Sequence, residues 1–163
     1  MMKSFGVIVL FLLAACSTRQ QGASLEGRGC KAPEIRAGFE VYGTAKNKKA
    51  AKKLVSGKNV FFVDTKPLIT SVDIARIQEA VAYSGLSSDQ SRKMNRIEIK
   101  SESQASIGAA SAKLIGTYAV VTFEGHILSW PLVAEPISDG FIFVPSLPVE
   151  GRSLVDLLCL KPR

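Results

Sequence analysis

The chain has one histidine, one tryptophan and three cysteines in 163 residues. A single imidazole, His126, excludes sites built on paired histidines, such as the His-Glu-x-x-His zinc helix. No Gly-x-Ser-x-Gly elbow, phosphate-binding loop or Cys-His cluster occurs, and the acidic residues stand singly, so spacing nominates no carboxylate pair. Ser111 follows Gly108-Ala109-Ala110, but inside a stretch that reads as helix. His126 keeps two readings, an exposed hairpin residue or the base of a small hydrolase; the first fits a chain to which the sequence assigns no cofactor and no metal.

Long apolar runs are scarce as well. Residues 5–13 form the one conspicuous run, preceded by Lys3 and followed by Leu13-Ala14-Ala15-Cys16. It is too short for a stable spanning helix and has the charged start, apolar middle and small-residue end of a secretory signal. Leu-Ala-Ala-Cys is also similar to the bacterial lipobox, in which the cysteine is acylated and becomes the new N-terminus. That resemblance implies lipid attachment, palmitate included, at Cys16, and Ser17 rather than Asp after it implies the outer membrane, facing the periplasm. The alternative is ordinary signal cleavage after Ala15. Each buried CH₂ of an acyl chain adds about 0.8 kcal/mol to anchoring. Residues 1–15 are therefore expected to be a lipoprotein signal peptide, 16–33 a flexible polar tether, and 34–163 one domain with room for a single core.

With Cys16 acylated, Cys30 and Cys159 remain, and an even pair in an oxidising compartment reads as a disulfide. The competing reading makes Cys159, after Leu157-Leu158, a buried thiol. Acidic residues are missing where the basic ones gather: Lys46, Lys48, Lys49, Lys52, Lys53 and Lys58 fall within thirteen positions and carry most of the net charge of +7. Thr44 as a cap, a stripe of Ala50, Ala51, Leu54 and Val55, and Gly57 as a stop predict an amphipathic helix there. Lys48, Lys49, Lys52 and Lys53 on its other face suit an anionic surface, or are only solvated. With no aromatics interleaved, the segment does not suit nucleic acid, and none is expected as a partner.

Much of the rest reads as strand. Residues 38–42 alternate, 60–63 form a continuous apolar run, and Ile97-Glu98-Ile99-Lys100 alternates cleanly. Residues 73–84 fit a helix through Ile74, Ile77 and Val81, although Ile77, Glu79, Val81 and Tyr83 share one face of a strand; helix is the expectation. Residues 84–95 read as a surface loop, and 101–115 as a helix opened by a Ser101/Gln104 capping box and stopped by Gly116. A last helix is expected within 149–160. Between these, the alternation at 118–123 predicts an inner strand, Glu124-Gly125 a hairpin turn, and Asp139-Gly140 a second turn before another strand. Elements mixed without strict alternation indicate an α+β fold, a small mixed or antiparallel sheet with two to four helices packed on it.

One stretch carries a resemblance. Gly116, Ala119, Gly125, Ser129, Pro131, Leu132, Val133, Ile137, Ser138 and Gly140 match the pattern of the head subdomain in the first periplasmic domain of SecD, the protein-export accessory subunit. Pro67-Leu68-Ile69-Thr70-Ser71-Val72-Asp73-Ile74 is similar to that family's entry segment, so the resemblance spans about residues 60–160. It implies a SecD-head-like fold and contact with a translocating polypeptide or an envelope protein, but not the motor, since the transmembrane helices that SecD uses have no counterpart here. The expected function is a non-catalytic, lipid-anchored interaction module, accessory to export or envelope assembly. Trp130, Pro131, Glu135 and Pro136 are its candidate partner surface; Trp130 suits either an interface anchor or the rim of the core. The alternative is a structural lipoprotein contacting cell wall or membrane through its basic helix.

Overall fold

The computed structural model describes residues 12–13, 27–83, 91–145 and 152–160. Cys16 and most of the expected signal and tether lie outside the described residues. In chain order the elements are β1 (Leu12–Leu13), β2 (Gly29–Lys31), β3 (Phe39–Gly43), β4 (Lys52–Ser56), β5 (Asn59–Val63), β6 (Ile69–Thr70), β7 (Ile74–Tyr83), β8 (Ser91–Ile99), α1 (Ser101–Ala112), β9 (Ala119–Phe123), β10 (His126–Ser129), β11 (Leu132–Val133), β12 (Phe141–Pro145) and α2 (Leu154–Leu158).

Two four-stranded antiparallel sheets dominate, ordered β10-β9-β3-β6 and β12-β8-β7-β2; β4 and β5 form a separate hairpin, and β1 runs parallel to β11. Both sheets feed one apolar cluster. Phe39, Val41, Val121 and Phe123 come from the first, and Ile74, Ile77, Ile97, Ile99 and Val144 from the second. Ile107 of α1 and Leu154, Val155, Leu157 and Leu158 of α2 close it. The fold is thus richer in sheet than the helix count expected from sequence.

Two expected helices are strands. The lysine segment has a single 3-10 turn at Lys48–Ala50, capped by Asn47 rather than Thr44, and then enters β4. Gly57, at φ 58, turns the chain back so that Lys53 faces Phe62, Leu54 faces Phe61 and Val55 faces Val60. The cause is the partner strand: a helix would have left the apolar run of β5 with nothing to pair against. Likewise Ile74–Tyr83 is a ten-residue strand because Ser91–Ile99 pairs along its length, Ile77 opposite Ile97 and Ala80 opposite Met94. The expected loop over 84–95 is therefore strand from Ser91 onward; its first part lies outside the described residues.

The expected turns hold. At the β9–β10 turn Glu124 and Gly125 both have positive φ, 48 and 81, as a two-residue hairpin of that hand requires. Gly140, at φ 73, lies in the left-handed region that L side chains rarely adopt, and a Cβ there would press on the flexible end of Gln104, 2.5 Å from its Nε2. Gln104 makes no capping box; its Nε2 donates to Ile99 O at 3.0 Å. Capping boxes form elsewhere, at Thr70 with Asp73 and at α2, where Ser153 and Asp156 exchange bonds. Folded structure also starts earlier than position 34, since Gly29–Lys31 pairs with β7.

Cys30 and Cys159 are joined, with Cα atoms 5.7 Å apart at a sequence separation of 129. Both are buried, so the bridge fastens β2 to the end of α2 inside the main cluster. Arg28 reinforces this corner from outside, pairing with Glu79 at 3.0 Å and Asp156 at 2.9 Å.

Candidate interaction surface

Alternation along β3 and β9 gives the first sheet a second apolar face. Tyr42 and Val120 point away from the main cluster and are covered by Leu54 and Val63 of the hairpin, with Phe61 and Ile127 packed at the edge. On this inner side Lys52 Nζ reaches Tyr42 OH at 2.6 Å and lies 4.4 Å from the ring centroid, while Tyr42 OH donates to Glu40 Oε2 at 2.8 Å. Burial raises the Tyr42 pKa above its ordinary value, with the Glu40 contact adding to it. Lys52 is therefore engaged with the body of the protein.

The outer side carries Lys53, Val55, Val60 and Phe62. Val55 is 58% exposed and Val60 47%. Lys48 Nζ lies 5.3 Å from the Phe62 centroid, close enough for a cation–π contact, and Lys49 is exposed on the adjoining turn. Of the four lysines expected to act together, Lys48, Lys49 and Lys53 present outward and Lys52 does not.

Trp130 joins this region to the Ser-Trp-Pro segment. Its ring sits 5.1 Å from that of Phe61, and 40% of the residue remains exposed. The indole is thus the rim of the small cluster and an accessible aromatic at once. From there the chain is fixed by backbone bonds: Pro131 O accepts from Ala119 N, Val133 N donates to Thr117 O, and Ile137 N donates to Ser111 Oγ at 2.9 Å. Ser111, wholly buried, spends its hydroxyl holding Ile137 and bonding Gly108 O. Pro131 and Pro136 are half-buried and Glu135 is exposed along this strip. The structure hence unites Trp130 with the lysine hairpin through Phe61, a link no local pattern discloses. Phe61, Phe62, Val55 and Val60 are not among the expected site residues; their signal is the pair of short apolar runs, Leu54-Val55 and 60–63, on either side of Gly57.

His126 stands exposed at the start of β10, opposite Phe123. Among the described residues no group of three His, Cys, Asp or Glu could hold a metal ion, and no helix is long and apolar enough to cross a membrane.

No protein-family model and no curated protein matches the chain. Two solved structures are similar. One is SecDF in its super-membrane-facing form, with a TM-score of 0.53 and 16% identity over 76% of this chain. The other is SecDF described as a membrane component that enhances protein export, with a TM-score of 0.48 and 14% identity, again over 76% of this chain and 59% of that one. The first shows a SecD-like fold; this chain spans 18% of its length.

Proposed function

We propose that this protein is a lipid-anchored cell-envelope module that binds other molecules without catalysing a reaction, as an accessory to protein export or to an envelope assembly. Acylation at Cys16 anchors it, in the outer membrane and facing the periplasm. The SecD-like fold supports the link to export, and the observation that carries the binding role is Trp130, exposed yet braced on Phe61 at the meeting point of the Ser-Trp-Pro strip and the hairpin. Trp is enriched among the residues that anchor interfaces, and a ring already braced on a neighbour loses little freedom on binding.

A photoreactive amino acid at position 130, irradiated in intact cells, is expected to capture a polypeptide; capture of lipid and solvent alone counts against the binding role. His126→Ala is expected to leave any phenotype intact, and its loss with the fold preserved would favour a small periplasmic hydrolase. The outward lysines support a second role in the same module, contact with an anionic envelope surface.

A further inference from the structure

We infer that the tip of the β4–β5 hairpin is a membrane-contact element, which sets Val55 and Val60 into the interface of an anionic bilayer while Lys49, Lys53 and Lys58 meet the headgroups. The inference rests on the envelope role just proposed and names the surface involved. Its first support is a misplaced pair. The solvent face of an antiparallel ribbon ordinarily carries polar side chains, yet here two exposed valines stand directly opposite each other. The ribbon's other face, Leu54 and Val63, is already packed on Tyr42 and Val120, so burial on the sheet does not require the outer side to be apolar.

Charge gives the occupant. Positions 45–63 hold six lysines and no acidic residue, and only Lys52 is turned inward to Tyr42. The tip also projects: a Cβ on Gly57 would meet nothing within 4 Å. Long lysine stems let an ammonium stay at headgroup level while shorter neighbours go deeper. A soluble polyanion would use the lysines and leave the valines wet, whereas a bilayer interface takes both. The patch is small, so it acts as a second signal beside an anchor rather than alone.

The test uses the full chain carrying Cys16→Ser and Asn59→Cys, with an environment-sensitive dye on the new thiol and the Cys30–Cys159 bridge intact. Mixed with phosphatidylglycerol-containing vesicles, the dye is expected to shift to the blue, and with phosphatidylcholine vesicles it is expected not to. Lys49→Glu with Lys53→Glu weakens the partition at least about tenfold, as does high salt. Val55→Ser with Val60→Ser weakens it by about tenfold with every lysine kept and the far-UV circular dichroism unchanged. No shift on anionic vesicles overturns the inference. So does a shift that survives the double serine variant, or one that heparin produces equally well. Every sample lacks the Cys16 thiol and carries the same apolar run 5–13, so the differences between variants report the hairpin and not the anchor, which palmitate labelling of the unaltered protein tests separately.

Discussion

Two apolar clusters occupy opposite faces of the β10-β9-β3-β6 sheet, and they are built for different ends. The larger draws on both sheets and both helices, is closed by a disulfide, and includes Phe39, Ile69, Ile74, Ile77 and Ile97 with no exposed surface. The smaller joins Tyr42 and Val120 of the sheet to Leu54 and Val63 of a two-stranded ribbon whose outer face is Lys53, Val55, Val60 and Phe62. An isolated two-stranded hairpin is marginal in water, so this one exists because the sheet beneath it supplies a floor. The difference teaches that stability and presentation are separated: one face of the sheet holds the protein together, and the other displays Trp130 and the lysines.

Breaking the larger cluster has the largest effect. Replacing both Cys30 and Cys159 by Ala should lower the unfolding free energy by up to about 5 kcal/mol on the chain-entropy estimate for so long a loop, read by denaturant titration. Ile77→Ala, wholly buried between strands, should cost about 3–4 kcal/mol and act on the whole molecule. Leu54→Ala should cost nearer about 2 kcal/mol, and hydrogen exchange should show the loosening confined to the hairpin. An equal, global loss from Leu54→Ala would erase the distinction between the clusters.

A smaller effect comes from Asp73, which ties the Ser71–Asp73 turn to the first turn of α1. Burial alone would raise its pKa, but bonds from Thr70 N at 2.9 Å, from Ser103 Oγ at 2.8 Å and from Thr70 Oγ1, together with the Lys100 charge, lower it below the ordinary 3.8. A lowered folded-state pKa means this contribution is fully present above the unfolded value and is lost as pH falls through the folded one. Stability should therefore fall below about pH 4. Asp73→Asn should cost about 1–2 kcal/mol at neutral pH and flatten that acid limb. Asp156 shifts the same way, first through the Ser153 hydroxyl and also through Arg28, so Asp156→Asn should remove a further part of the acid dependence. Smallest of all, Lys49→Glu should change stability by less than about 0.5 kcal/mol, since the side chain is exposed; a larger loss would mean that the lysines belong to the fold rather than to contact.

Local chemistry explains which parts of this division were legible. The Glu124-Gly125 turn, the strands flanking it, Gly116, Gly140 and the Cys30–Cys159 pairing follow from short-range signals or residue counting. The two mistaken helices share a cause. Lys52–Ser56 and Ile74–Tyr83 each carry apolar residues at spacings that suit helix and strand alike, and pairing with β5 and β8 decides between them. For β4 the deciding turn is in view, since Gly57 suits a helix stop and a hairpin turn alike and here makes the turn. Trp130 could be nominated from its rarity, but its support on Phe61 requires the hairpin to fold over Tyr42 and Val120, which is tertiary information.

The most direct test of the division between holding and presenting is hydrogen exchange on the intact protein, free and on membranes from the source cells. Amides of Lys52–Val63 should exchange faster than those of Ile74–Arg76 and Ile97–Ile99 in the free protein. On membranes, protection should rise in the hairpin and around Trp130 and nowhere else. A hairpin as slow as the main sheet when free, or protection on membranes confined to β7 and β8, would contradict it.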